Sequence, residues 1–415
     1  MKFLVIVLVF FYIFPIFPAF LPLPLDRIIQ VMALVYLGFH INKSRMILGN
    51  KIILGSFLLC FVLLFISILA QFRNLGRTEL AIVKDSANLI LYILSSTFII
   101  FSAQRYWKRF SVTTILDILV MVGLLQAFVS MIFFFFPSIF EYYTGFLNVD
   151  ANMGLMKRVG LIELRLIGVG NAFFNGVIKF GIIFLILTYL KYDKRSYFYN
   201  RPIIYFLSYS LILCAGLMTG RTFFIAVLLS IAYFVSKEVK RFIPFTFKVL
   251  GYSSAMIVFF IIFTSIFGNL INESRVENVK NFVFEIFINY DDTGEFRTSS
   301  SDKTADMYVF PDNISTWLIG DGRFNEEGGS YYMKTDVGYL RYIYYFGVIG
   351  TCFFFFVQYK VVNWIVSFNY SKDFSKLMYF LLFWILILNF KGVAYLDQFS
   401  ALILAALILS NKKQL

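Results

Sequence analysis

The chain has 415 residues, of which 60% are hydrophobic, 20% aromatic and only 15% charged. Its 54 phenylalanines outnumber its 37 lysines and arginines, and mean hydropathy is +0.79. An ordinary soluble chain carries about 25% charged residues, so composition excludes a soluble enzyme, a nucleic-acid binder and a disordered scaffold. What remains is a membrane protein whose net charge of +13 reflects the bias of Lys and Arg toward the cytoplasmic side of a bilayer.

A spanning helix needs about 20 mainly apolar residues. Twelve segments meet or approach that length: 3–20, 27–40, 52–70, 87–103, 111–137, 169–190, 202–218, 222–236, 249–267, 337–358, 377–390 and 398–410. The pattern predicts an all-α polytopic protein with about 12 transmembrane helices in a single integral membrane domain over 1–415. The first run follows Lys2 as a signal peptide would. However, Pro15, Pro18, Pro22 and Pro24 stand where cleavage needs small residues, so it reads as a retained helix. The only histidine, His40, closes the second segment.

The fifth and sixth segments each carry a charge, Asp117 and Lys179. At 1.5 Å per residue their depths differ by about 7 Å, within reach of a long side chain. An ionisable group inside the hydrocarbon is expensive, so the two read either as a structural ion pair or as a proton relay. Cys60, Cys214 and Cys352 lie far apart in apolar runs and imply no disulfide framework.

Alternating the spans from a cytoplasmic N-terminus puts 20 of the 37 basic residues in the cytoplasmic segments, with only Asp193, Glu238 and Asp373 of the 24 acids. The positive-inside rule is then met loop by loop, with both termini cytoplasmic. The two larger connections, 138–168 and 268–336, fall outside. The second is polar over 289–303 but holds Trp317, Leu318 and Ile319, which predicts a small, partly helical cap. No G-x-x-x-x-G-K-[ST] run occurs, which argues against ATP-driven transport.

Three arginines stand at the outer ends of spans. Arg165 precedes the sixth. Arg221 turns the Thr219-Gly220-Arg221-Thr222 hairpin. Arg341 lies one turn inside the tenth. Each reads either as an interfacial anchor snorkelling to lipid or as a planar fork for phosphate oxygens; three together would make a pyrophosphate clamp. Asp336, just before the tenth span, reads either as a helix cap or as a catalytic carboxylate.

This pattern resembles the Wzy-type O-antigen and capsule polymerases, membrane glycosyltransferases related in architecture to the O-antigen ligases. The local marks are Thr-Gly-Arg-Thr at 219–222, Asp-Val-Gly-Tyr-Leu-Arg at 336–341 running into Tyr-Tyr-Phe-Gly-Val-Ile-Gly at 344–350, and the Arg165-x10-Gly176 spacing. The resemblance implies a GT-C-like helical fold in a bacterial inner membrane. It also implies transfer of a growing glycan from undecaprenyl pyrophosphate to a sugar hydroxyl of another lipid-linked repeat, with inversion and without nucleotide, metal or cofactor. Partners implied are the lipid-linked donor and acceptor, the bilayer, and a chain-length regulator and flippase of the same pathway. Arg165, Arg221 and Arg341 would hold the pyrophosphate. His40 falls at the cytoplasmic end of its span, so either a carboxylate such as Asp336 or Glu163 would serve as base or substrate positioning would suffice. An O-antigen ligase is the nearest alternative, although ligases of this architecture are associated with an outer-loop histidine. A flippase or secondary transporter is the other.

Overall fold

A computed structural model describes residues 2–40, 42, 49–74, 79–107, 109–148, 165–170, 173–238, 277–278, 281, 285, 288–295, 298–326 and 329–410. Among the described residues the chain is helical with no β-strand, and its only sheet-like pairings are two isolated bridges. The helices are α1 (Lys2–Ile13), α2 (Leu25–Phe39), α3 (Lys51–Arg73), α4 (Ala81–Gln104), α5 (Val112–Phe135), α6 (Pro137–Gly145), α7 (Phe173–Leu190), α8 (Pro202–Thr219), α9 (Phe224–Glu238), α10 (Ser299–Asp306), α11 (Ile314–Ile319), α12 (Gly338–Ser367), α13 (Lys372–Leu388) and α14 (Asp397–Ser410).

Six of these, α3, α4, α5, α7, α8 and α12, are long and apolar enough to cross a membrane, the build of an α-helical membrane protein. The other apolar helices are shorter than a span. The segment 249–267, read above as the ninth span, lies outside the described residues.

Local chemistry sets several boundaries. Asn50 caps α3, its side-chain oxygen accepting from the N–H groups of Ile52 (3.0 Å) and Ile53 (3.3 Å). Ser371 does the same for α13 through Phe374 N, and Pro137 and Pro202 open α6 and α8, where a missing N–H costs nothing. The first span departs from expectation: α1 stops at Ile13 rather than running to residue 20. Pro15 disfavours helical geometry at the residue before it. The chain then leaves the helix and pairs alongside 146–148, with Ala19 N donating to Phe146 O and Asn148 N to Phe17 O.

The chain divides into two compact units. One comprises 1–8, 26–115 and 298–415; the other comprises 9–25 and 116–297. In the first, α12 packs against α3, α13 and α14, α14 lies along α4, and α11 lies along α12. Its core joins Leu63 and Ala70 of α3 with Ile82, Tyr342, Tyr345, Phe346 and Phe354, and with Phe324 from the 320–326 loop. In the second, α7 packs against α8 and α9. All but two of the 18 residues of α7 are buried, as expected of a helix apolar on every face.

Candidate active site

The tenth predicted span is the 30-residue α12, longer than the 337–358 expected and broken at Gly347, where φ is 69° and ψ −179°. The break frees carbonyls of the preceding turn, and a loop supplies their donors: Asp321 N reaches Tyr344 O at 2.6 Å and Gly322 N reaches Tyr345 O at 3.3 Å. Only glycine fits here. A Cβ on Gly347 would stand 2.3 Å from the Leu318 carbonyl and the Ile319 nitrogen, besides adopting a left-handed φ. Among its described residues the 268–336 connection is partly helical, through α10 and α11, and α11 packs against α12.

That loop has further fastenings. Asn74, which closes α3, accepts from Arg323 Nε (3.1 Å), and its amide donates to Gly322 O (3.5 Å). Glu79 accepts from Phe324 N (2.8 Å) and from Asn325 Nδ2 (2.7 Å). Asp321 accepts from the Thr316 hydroxyl (2.6 Å) and the Tyr332 phenol (3.3 Å). Burial, then the Asp321 charge, pushes the Tyr332 phenol up from its ordinary value, so it remains a donor at neutral pH.

Arg341 sits beneath the loop, 7% exposed. This burial corrects the snorkelling expectation: the guanidinium turns inward, where aromatic faces and loop carbonyls replace lipid phosphate. It lies 3.7 Å from the Phe324 ring centroid and 4.2 Å from that of Tyr331. Its Nη2 donates to Asn325 Oδ1 (3.0 Å) and Phe324 O (3.4 Å), Nη1 stands 3.7 Å from Asp336 Oδ1, and among the described residues Nε has no hydrogen-bond partner. Much of the fork is therefore engaged by protein, and the accessible member of the pair is the Asp336 carboxylate, 37% exposed.

Asp336 is not the cap of α12. The N-cap is Val337, with no side-chain capping bond. Instead Tyr339 N donates to Asn389 O at 3.1 Å, so the end of α13 satisfies a first-turn donor of α12. Gly338 permits that approach, since a Cβ would meet Asn389 Oδ1 and Gly392 O at 2.5 Å. The carboxylate faces Arg341, so the pair sets a partly exposed carboxylate beside a buried cation.

The second unit holds the other two arginines. Arg165 lies over the Phe173 ring at 5.6 Å, and the next residue, Leu166, donates its N–H to Met218 O at 3.0 Å. Arg221, in the 3₁₀ turn Arg221–Phe223 that follows α8, forms an ion pair with Glu285. Arg165 and Arg221 thus attach to the same end of α8, while Arg341 and Asp336 belong to the first unit. Gly176 is buried in α7, and Glu163 lies outside the described residues.

The expected Asp117–Lys179 ion pair is replaced by other partners. Asp117 accepts from the Ser196 hydroxyl (2.7 Å) and Tyr197 N (3.1 Å). Lys179 Nζ donates to Ile13 O at 2.6 Å and lies 5.2 Å from the Phe14 ring. The early stop of α1 explains the switch: a helix end leaves its last carbonyls without donors, and a buried ammonium satisfies one. His40 Nδ1 bonds Tyr36 O (2.9 Å) and the ring stacks on Tyr36. Among the described residues no His, Cys, Asp and Glu side chains group as a metal site.

Sequence reasoning missed Glu79 and Asn325. Glu79 carried a faint signal, an acid in the short connection between the third and fourth spans; its partner, 246 positions away, carried none. No family model, curated protein or solved structure matches this chain.

Proposed function

We propose that the chain is a Wzy-type membrane glycosyltransferase that polymerises lipid-linked repeat units of a bacterial surface glycan, O-antigen or capsule. One observation carries the reading: Asp336, just ahead of the Val337 N-cap of α12, stands 3.7 Å from the buried Arg341. In this reading the enzyme sits in the inner membrane with about twelve spans in a GT-C-like arrangement. Both termini are cytoplasmic, and the segments 138–168 and 268–336 are periplasmic.

The donor is a glycan on undecaprenyl pyrophosphate and the acceptor is a sugar hydroxyl of a second lipid-linked repeat. Asp336 takes the hydroxyl proton as the oxygen attacks the anomeric carbon with inversion. The bond to the pyrophosphate oxygen breaks, and the pyrophosphate leaves with its electron pair, already activated, so no nucleotide is consumed. General-base assistance of this kind contributes about 10²–10⁴-fold. Arg341 steadies the carboxylate; Arg165 and Arg221, in the other unit, carry planar forks of the kind that suits phosphate oxygens. Glu163 is the second candidate base. A chain-length regulator and a flippase would act with it.

A second reading, a flippase or secondary transporter, draws support from the break in α12 at Gly347, since discontinuous helices build transporter sites. Deleting the chain and separating surface glycans on a gel decides between them. Loss of a polymerase leaves the core with one repeat unit, loss of a ligase leaves bare core with polymer on the carrier lipid, and loss of a flippase leaves bare core without polymer.

A further inference from the structure

Glu79 lies just ahead of α4 and binds two donors of one loop. One carboxylate oxygen accepts from Phe324 N at 2.8 Å and the other from Asn325 Nδ2 at 2.7 Å. The second bond decides which way the Asn325 amide faces. With Nδ2 committed to Glu79, the Oδ1 end is presented to Arg341 Nη2 at 3.0 Å. A guanidinium is donor-only, so the flipped amide would set donor against donor. Held on that side, and sandwiched between Phe324 and Tyr331, the guanidinium directs Nη1 toward Asp336.

We propose that Glu79 is a positioning residue for the glycosyl transfer: acting through Asn325, it fixes the orientation of Arg341 and thereby the place of the Asp336 carboxylate. This rests on the polymerase reading above. The loop does not need the relay to stay in place. Asn74 holds Gly322 and Arg323, and the Asp321 and Gly322 amides hold the carbonyls at the α12 break. What the Glu79–Asn325 bond adds is polarity, the choice of which amide end meets the cation.

Glu79→Gln keeps one acceptor for Phe324 N but sets an amide NH₂ against the Asn325 NH₂. With purified full-length protein, and the lipid-linked repeat extracted from the deletion strain as substrate, kcat per folded molecule should fall on the order of 10-fold, as for the loss of one hydrogen bond to a charged network. KM should stay within about 3-fold, since the substrate contacts are untouched. The double variant Glu79→Gln, Asn325→Asp reverses donor and acceptor while still offering Arg341 an oxygen, and should regain most of that loss. A Glu79→Gln enzyme that gives a low yield but the parental kcat per folded molecule, or a double variant no better than the single, overturns the proposal. Should Glu79→Gln not accumulate, Asn325→Ala carries the same measurement, because it leaves the Glu79–Phe324 bond intact; failure of both to accumulate assigns a structural role and also overturns it. Asp336→Asn, assayed alongside, separates the two levels. Full activity there contradicts the base assignment, whereas an inactive Asp336→Asn beside a fully active Glu79→Gln contradicts only the positioning role.

Discussion

Asp336 Oδ1 lies 3.7 Å from Arg341 Nη1, although the two residues do not share a helix: Asp336 precedes the cap of α12 and Arg341 lies in its first turn. The pair is asymmetric, one side chain buried and the other reaching solvent. Removing the cation would leave a carboxylate without its steadying charge, and removing the carboxylate would leave a buried guanidinium with one fewer acceptor.

Arg341→Lys is expected to damage both fold and function. Lysine keeps the charge but cannot bond Asn325, Phe324 O and Asp336 together, or fill the slot between the Phe324 and Tyr331 rings. A cost of about 2–4 kcal/mol follows from breaking charged hydrogen bonds in a buried setting. The check is the melting midpoint of the detergent-extracted protein; an unchanged midpoint would mean that the slot does not hold the guanidinium.

Gly347→Ala should be among the more harmful single-methyl additions in the chain. The methyl would meet the Leu318 carbonyl in a backbone with φ 69°, at a cost of about 1–3 kcal/mol for the backbone alone. Gly38, in α2, has nothing among the described residues within 4 Å of an added Cβ, so Gly38→Ala should be neutral or stabilising by up to about 1 kcal/mol. Melting curves of the two variants check the contrast, and similar curves would contradict the break at Gly347.

Asp117 and Lys179 take different partners, so Asp117→Asn and Lys179→Met should act independently. A double-mutant cycle on thermal stability should give an interaction energy within about 0.5 kcal/mol of zero. A coupling of 1 kcal/mol or more would restore the ion pair.

The helices were the most legible part of the chain, because a helix long enough to cross a bilayer must carry its own apolar surface. What misled was competition for the same group. Depth alone matched Asp117 to Lys179, but the carbonyl freed where α1 stops at Ile13 and the Ser196 turn offered each a nearer partner. In the same way Asp336 occupied a capping position by spacing, yet Asn389, from the end of α13, supplied the acceptor. The break at Gly347 looked like one more glycine in an apolar run, since the loop that satisfies it lies more than twenty residues upstream. Of the candidate site, Asp336 and Arg341 could be read from charge placed at a helix mouth. Glu79 showed only as an acid in a short connection and Asn325 not at all, because their relation exists only after folding.

Orientation has its own test. Single cysteines at Asp291 and Asp302 should react with a membrane-impermeant maleimide in intact cells, whereas one at Lys237 should react only after the membrane is opened. Equal labelling at both sites would invert or abolish the proposed topology.

The most direct measurement is complementation of the deletion strain with Asp336→Asn, read as the length ladder of its surface glycan at parental protein level. Because Asp336 is not the cap of α12, the amide should leave folding intact. As it cannot accept the proton, transfer should drop about 10²–10⁴-fold, leaving core with a single repeat. A full ladder from Asp336→Asn would contradict the account.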